Sequence, residues 1–346
     1  MKKNNINKNI QPLCKSKKYG ITLPGFIIVL LCNLLLPVIV QSAELEVIPL
    51  RNNMDMIAGA GANIVVHHGE DGVIVVDSGS GDRTEEVLEI INQIGGGVPI
   101  RYVINTSANP DNVGGNEALS LAGEPFVARV GLRLDPNLRS ELSSGAIIYA
   151  QENVLFHMAE NGMPISSWPV EGYATPSGSI RLNGEGMEIK HFPVAYSSAD
   201  SIVDFRGSDV FVVGQLIDAT RFPQINLEQG GSVNGLLAAL NELIWMVIPE
   251  LPLTWREGGS LVVPAKGRVY RHGDVVQYRD MVTIIRDRVY TMIEQGMSLQ
   301  EVQDANPAFG FIGQWGDDTP GSEWTTEMFI EAVYISLLTE MQAGEQ

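Results

Sequence analysis

The sequence predicts an α/β protein, and three observations carry that reading. Short runs rich in Val and Ile end in polar loops, a stretch with helical spacing lies between two of these runs, and the C-terminal third has helical period throughout. The chain has 346 residues, of which 45% are hydrophobic, so it has ample material for a core without disulfides or a structural metal.

Leu45 to Leu50, Ala62 to His67 and Val73 to Asp77 read as strands, the last two joined by the turn Gly69-Glu70-Asp71-Gly72. Val87, Leu88, Ile91 and Ile94 share one face of a helix from Glu85 to Ile94. Arg101 to Thr106 then returns as a buried strand ending in Ser107-Ala108-Asn109-Pro110-Asp111-Asn112. A polar loop at the carboxyl end of such a strand is where α/β proteins place their sites. The second half repeats the logic. Met187 to Phe192 and Ser201 to Phe205 flank the loop Ala195-Tyr196-Ser197-Ser198-Ala199-Asp200, and Val210 to Val213 ends at Gly214-Gln215. Gly231-Ser232 opens a helix running to about Val247, and Leu261 to Val263 ends in Pro264-Ala265-Lys266-Gly267. Asp274 to Gln295, Ser298 to Ala305 and Thr325 to Met341 are helical. With no repeat or long linker, residues 44–346 read as one domain.

Residues 1–43 hold six Lys, no acid, and an apolar run from Phe26 to Val40, which is the composition of a signal peptide cleaved after Ser42 or Ala43. The expected location is periplasmic or secreted. The alternative is an uncleaved N-terminal anchor, the one case in which this chain would meet a membrane. Six of the 23 basic residues and none of the 41 acidic ones fall in this segment, so the formal charge of -18 becomes -24 in the mature chain. That charge argues against nucleic-acid binding, which needs a basic surface to release counterions. Cys14 and Cys32 leave with the signal, and the mature chain has no thiol for a disulfide or a thiolate metal site.

Asp77 ending a Val/Ile strand, Asn105-Thr106 before the first polar loop, Val113-Gly114-Gly115-Asn116 after it, Asp200-Ser201-Ile202-Val203 after the second and Gly230-Gly231-Ser232 together resemble the metallo-β-lactamase superfamily. The resemblance covers nearly all of the mature chain and implies a four-layer αββα metallo-β-lactamase sandwich with its site at one sheet edge. The tail from Tyr278 to Asn306 is similar to the helical end of secreted hydrolase-like members. In the family the first loop reads His-x-His-x-Asp-His, and further ligands come from Ala-His-Thr, Gly-Asp and Pro-Gly-His-Gly. Carried over residue by residue, this chain has Ser107, Asn109 and Asn112 in the first loop, with Asp111 alone retained. Tyr196, Gln215 and Lys266 stand at the remaining three positions. Six of seven positions are changed while the frame around each is kept.

Amides, hydroxyls and an ammonium are poor zinc ligands, so the resemblance implies a degenerate site with no cofactor; a weakly bound divalent metal is the alternative. The loop residues Ser107, Asn109, Asp111, Asn112, Tyr196, Gln215 and Lys266, with His191 behind the second loop, then form a pocket for a small polar ligand or a periplasmic protein partner. Asp111 either accepts backbone N–H groups at the start of the following helix or pairs with Lys266 in a spot shielded from solvent. The main expectation is a non-catalytic pseudo-hydrolase. The alternatives are a metal-free hydrolase acting through Ser107, Lys266 and Tyr196, or a hydrolase with an atypical metal. The other histidines, His67, His68, His157 and His272, read as packed or solvated. Trp168, Trp255, Trp315 and Trp324 with Tyr173 are candidates for an apolar rim, and the segment from Ala128 to Gly145 for a lid.

Overall fold

Two sheets face each other, with helices on both outer surfaces, in the computed structural model. The structure describes residues 44–125, 145–174, 176–250 and 258–344, which belong to one compact unit. Residues 1–43, expected to be a signal peptide, Trp255 and nearly all of the Ala128 to Gly145 segment lie outside these residues.

The first sheet runs in simple order through β1 (Glu46–Pro49), β2 (Met54–Ala58), β3 (Ile64–Gly69), β4 (Gly72–Val76), β5 (Ile100–Ile104), β6 (Ile147–Gln151) and β7 (Glu171–Tyr173). The first four are antiparallel neighbours, because turns of a few residues can only reverse a strand. From β4 onward the pairs are parallel, and α1 (Thr84–Ile94) crosses from β4 to β5. Every residue of β4 is buried, as its unbroken apolar run requires of a strand covered on both faces. The second sheet has the order β12-β11-β10-β9-β8, from β8 (Ser177–Leu182), β9 (Glu185–Phe192), β10 (Asp200–Phe205), β11 (Val210–Asp218) and β12 (Leu261–Lys266).

Three apolar layers hold these pieces together. Between the sheets, Met56, Val65 and Ile104 of the first meet Ile189, Phe205 and Val212 of the second. Outside the first sheet, Val87 and Ile91 of α1 and Leu119 of α3 (Asn116–Leu121) cover Val66, Val75 and Val103. Outside the second, α5 (Val233–Met246), α6 (His272–Glu294) and α9 (Thr326–Gly344) bury Leu236, Leu240, Tyr278, Val282, Phe329 and Val333 against Val213 and Val262. The result is the αββα sandwich. Two short helices, α7 (Leu299–Ala305) and α8 (Ile312–Trp315), connect the last two long ones, and no helix among the described residues is long and apolar enough to cross a membrane.

The expected strands and helices are present, with four differences. β2, β6, β7 and β8 are additional strands, and β11 continues five residues past Val213. That continuation depends on Gly214, where the β11–β12 register shifts and φ is +49°. A Cβ at Gly214 would lie 2.2 Å from Thr106 Oγ1, so the glycine lets the second sheet approach the first loop. β12 likewise runs on to Lys266, and His272 is the first residue of α6 rather than part of a turn.

Candidate functional site

Five strand ends converge at one edge of the sandwich. β4 ends at Asp77, β5 leads through Asn105 and Thr106 into the first loop, the β9–β10 connection carries Tyr196, β11 carries Gln215, and β12 ends at Lys266. Backbone bonds lock the loops to one another. Ser201 N–H donates to Thr106 O at 2.8 Å, Ala62 N–H to Asp111 O at 3.0 Å, and Asn63 N–H to Ala265 O at 2.6 Å. The buried Asn63 side chain also donates to Pro264 O and Gly267 O, both at 3.0 Å, which fixes the turn after Lys266.

Asp77 organises the floor. Its backbone is left-handed, φ +61°, a conformation Asp tolerates better than most residues, and its carboxylate is fully buried. It accepts from Thr106 N–H at 2.8 Å, Thr106 Oγ1 at 2.7 Å and Asn112 Nδ2 at 2.8 Å. Burial pushes its pKa up to about 6, against the opposing pull of these donors. Behind it, Asn105 and Asn116 exchange two amide bonds of 3.0 and 2.9 Å, and Ser78 Oγ donates to Asn116 at 2.9 Å.

The seven positions at which the resemblance places metal ligands are almost all used up on each other. Gln215 Nε2 donates to Asn112 Oδ1 at 2.6 Å. Asn109 Nδ2 donates to Tyr196 Oη at 2.9 Å. Lys266 Nζ lies 2.5 Å from Asp111 Oδ2. Six side chains thus form three direct pairs. The seventh, Ser107, is fully buried, and its Oγ accepts Asn109 N–H at 3.1 Å. Among the described residues no group of three or more His, Cys, Asp or Glu is arranged to hold a metal ion.

Two local expectations are corrected. Asp111 does not cap the helix that contains it, α2 (Pro110–Val113); Asn109 does, accepting Asp111 N–H at 2.9 Å, with Pro110 at the first helical position. The Asp111–Lys266 pair is not shielded either, because the two side chains keep 34% and 26% of their exposure. It sits at the rim, since β12 delivers Lys266 to the edge of the second sheet rather than beneath the loops. His191 reaches the back of the second loop, its Nε2 2.8 Å from Ser198 O. Burial pushes the Tyr196 phenol up, keeping it neutral between Asn109 and Asn226. Asp200 is fully buried beneath Ser197, whose N–H donates to it at 2.6 Å, and burial pushes its pKa up to about 8.

Sequence reasoning missed the contact between His157 and Ser198, with Nε2 2.7 Å from Oγ. Nothing in the sequence links them, since they meet only when α4 (Glu152–Glu160) packs on the second loop. Of the aromatic residues expected at a rim, Trp315 and Tyr173 belong to the core, and Trp168 donates its Nε1 to Met163 O. Trp324 does line a groove of about 360 Å³ beside Tyr196, with Ile225, Leu227, Glu228 and Met328.

The architecture is an α/β sandwich with polar loops gathered at one sheet edge, and the comparisons show which proteins share it. Residues 58–211 match the family model for the metallo-beta-lactamase superfamily. A metallo-beta-lactamase from Pontibacter korlensis superposes with a TM-score of 0.52 at 16% identity, covering 69% of this chain and 99% of that one. The DIM-1 metallo-beta-lactamase gives 0.51 at 13% identity, with 69% and 97% covered. At such identities these structures speak to the fold alone. No curated protein matches the sequence. The match to that superfamily's model over these residues and the shared sandwich fold agree with each other.

Two measurements check this description. For a pair as exposed as Asp111–Lys266, a double-mutant cycle with Asp111→Asn and Lys266→Met should give a coupling energy of about 1 kcal/mol or less from urea midpoints. A coupling of about 3 kcal/mol or more would mean a desolvated pair and contradict the geometry.

The second measurement is pH dependence. Asp77 and Asp200 have folded pKa values above the ordinary carboxylate value, so the native state holds protons that the unfolded chain releases. Their contribution to stability is complete below about pH 4 and is lost as pH rises through about 6 and about 8. Urea midpoints in high salt, which screens the net charge, should fall from about pH 5 to about pH 8.5, and Asp200→Asn should flatten the upper half. Parallel pH profiles for the two proteins would contradict the assignment to Asp200.

Proposed function

We propose that this protein is a secreted pseudo-hydrolase: the family's frame is kept, its metal-dependent chemistry is lost, and the remaining cleft binds a small polar ligand. The observation that carries the reading is the pairing of six ligand positions into three direct contacts. The donor set does not fit zinc. It contains no imidazole, and its one retained carboxylate, Asp111, is already neutralised by the Lys266 ammonium. Gln215 and Asn112 meet at 2.6 Å as donor and acceptor, a contact that an ion between them would have to break.

Binding of a polar ligand is supported by the groups left at the cleft mouth. Asp111 and Lys266 stay partly exposed and neutralise each other, so the rim is polar with little net charge, and the groove beside Tyr196 supplies an apolar wall. The lysine-rich, apolar N-terminal segment supports the export part of this reading. The reading with Ser107, Lys266 and Tyr196 as catalytic groups draws less support, since each of the three is engaged with Asn109 or Asp111.

Protein purified without chelator and dialysed should carry well under one equivalent of zinc by elemental analysis. It should show no hydrolysis of β-lactams, phosphoesters or thioesters that a chelator abolishes. Stoichiometric zinc surviving dialysis, or turnover restored by added metal, would overturn the reading.

A further inference from the structure

Ser198 stands two residues beyond Tyr196, on the side of the cleft facing α4, and its surroundings are those of an activated hydroxyl. His157 Nε2 lies 2.7 Å from Ser198 Oγ, and the other ring nitrogen, Nδ1, lies 3.1 Å from Glu160 Oε2. A carboxylate at Nδ1 holds the proton there and leaves Nε2 as the acceptor, the tautomer a general base requires. His157 is largely buried, whereas Ser198 is partly exposed and Glu160 exposed.

The serine backbone is fixed without help from its hydroxyl. Its N–H donates to Gln229 O at 2.8 Å, and its carbonyl accepts from Asn153 Nδ2 at 2.9 Å and His191 Nε2 at 2.8 Å. Three separate elements, α4, β9 and the loop before α5, therefore pin this residue. The hydroxyl–imidazole contact is not needed to hold the loop, and the rigid backbone places the hydroxyl as pre-organised nucleophiles are placed. Ser107 differs in being fully buried, with its oxygen spent on Asn109 N–H.

We propose that Ser198, served by His157 and oriented by Glu160, is a metal-independent acyl-accepting nucleophile, and that the ligand class of the cleft is a small carboxylic ester. This rests on the metal-free, ligand-binding part of the proposed function and goes beyond it, replacing the lost metal-dependent chemistry with hydrolysis that needs no ion. Ser198 Oγ bonds to the carbonyl carbon as its proton passes to His157 Nε2. The carbon–oxygen bond to the alcohol then breaks, and Nε2 returns the proton to the departing oxygen. Water attacks the acyl-serine with His157 again taking the proton, which goes back to Ser198 Oγ as the acid leaves. The net reaction is ester plus water to carboxylic acid plus alcohol. Asn153 Nδ2, already beside the Ser198 carbonyl, has a second N–H to direct at the oxyanion.

The test uses the full mature protein, an alkyl fluorophosphonate and excess chelator. Attack by Ser198 forms an oxygen–phosphorus bond and expels fluoride, so peptide mass analysis should find the adduct on Ser198. In His157→Gln, with thermal midpoint measured to confirm folding, the labelling rate should drop by roughly 100-fold or more. A folded natural protein that gives no Ser198 adduct with excess reagent, or a His157→Gln variant that labels at the original rate, would overturn the proposal. Neither result bears on zinc content, so failure here is distinguishable from failure of the metal-free reading.

Discussion

The Asp77 carboxylate is the constraint on which this site depends. It is buried at the end of β4 and takes three hydrogen bonds, two from Thr106 and one from Asn112. Those bonds fix where β5 releases the first loop and which way α2 points. Through Asn112 the order reaches Gln215 in the opposite sheet, so a chain of hydrogen bonds runs from β4 to β11 across the sandwich. A buried acceptor left without its donors costs more than the bonds gain, so the network is held as a unit. The fold uses these residues structurally, whether or not an ion sits above.

Six of the seven positions make neutral or mutually neutralising contacts with one another. The amide pair Asn112–Gln215 and the amide–phenol pair Asn109–Tyr196 are buried or nearly so, and both tie the first loop to the second sheet. The charged pair Asp111–Lys266 is left at the rim, where solvent screens it and neither charge suffers full desolvation. That partition follows ordinary energetics, with uncharged hydrogen bonds inside and the ion pair outside. The His157–Ser198 contact lies on the neighbouring second loop, two residues beyond Tyr196.

Much of the frame was legible in the sequence because it is written in strong local signals. The buried run Gly72–Val76, the helical face of Val87 and Ile91, and Ser232 capping α5 through Gly235 N–H are each visible without tertiary knowledge. β8 was not, since it is a six-residue edge strand with polar residues alternating, and β7 is only three residues long. β2 carries Asp55 between two methionines, a pattern that gains meaning only from its pairing with β1 and β3. At the site, the identity of the seven residues and the nearness of Asp111 to Lys266 were readable from the loop motifs. The exposure of that pair, the capping role of Asn109 and the Asn112–Gln215 bond were not, because each depends on how two loops distant in sequence meet.

The account's central claim is that backbone geometry for metal ligands persists while the side chains have been exchanged for ones that bind each other. The most direct measurement is zinc content of the restored variant, with Ser107, Asn109, Asn112, Tyr196 and Lys266 each changed to His and Gln215 changed to Asp. Because ligand geometry depends on the loop backbone that Asp77 and Gly214 hold in place, the folded variant should retain about one equivalent of zinc or more through dialysis, where the natural chain retains far less. A folded variant that takes up no more zinc than the natural protein would contradict the claim and show that the loops no longer place these positions around a common centre.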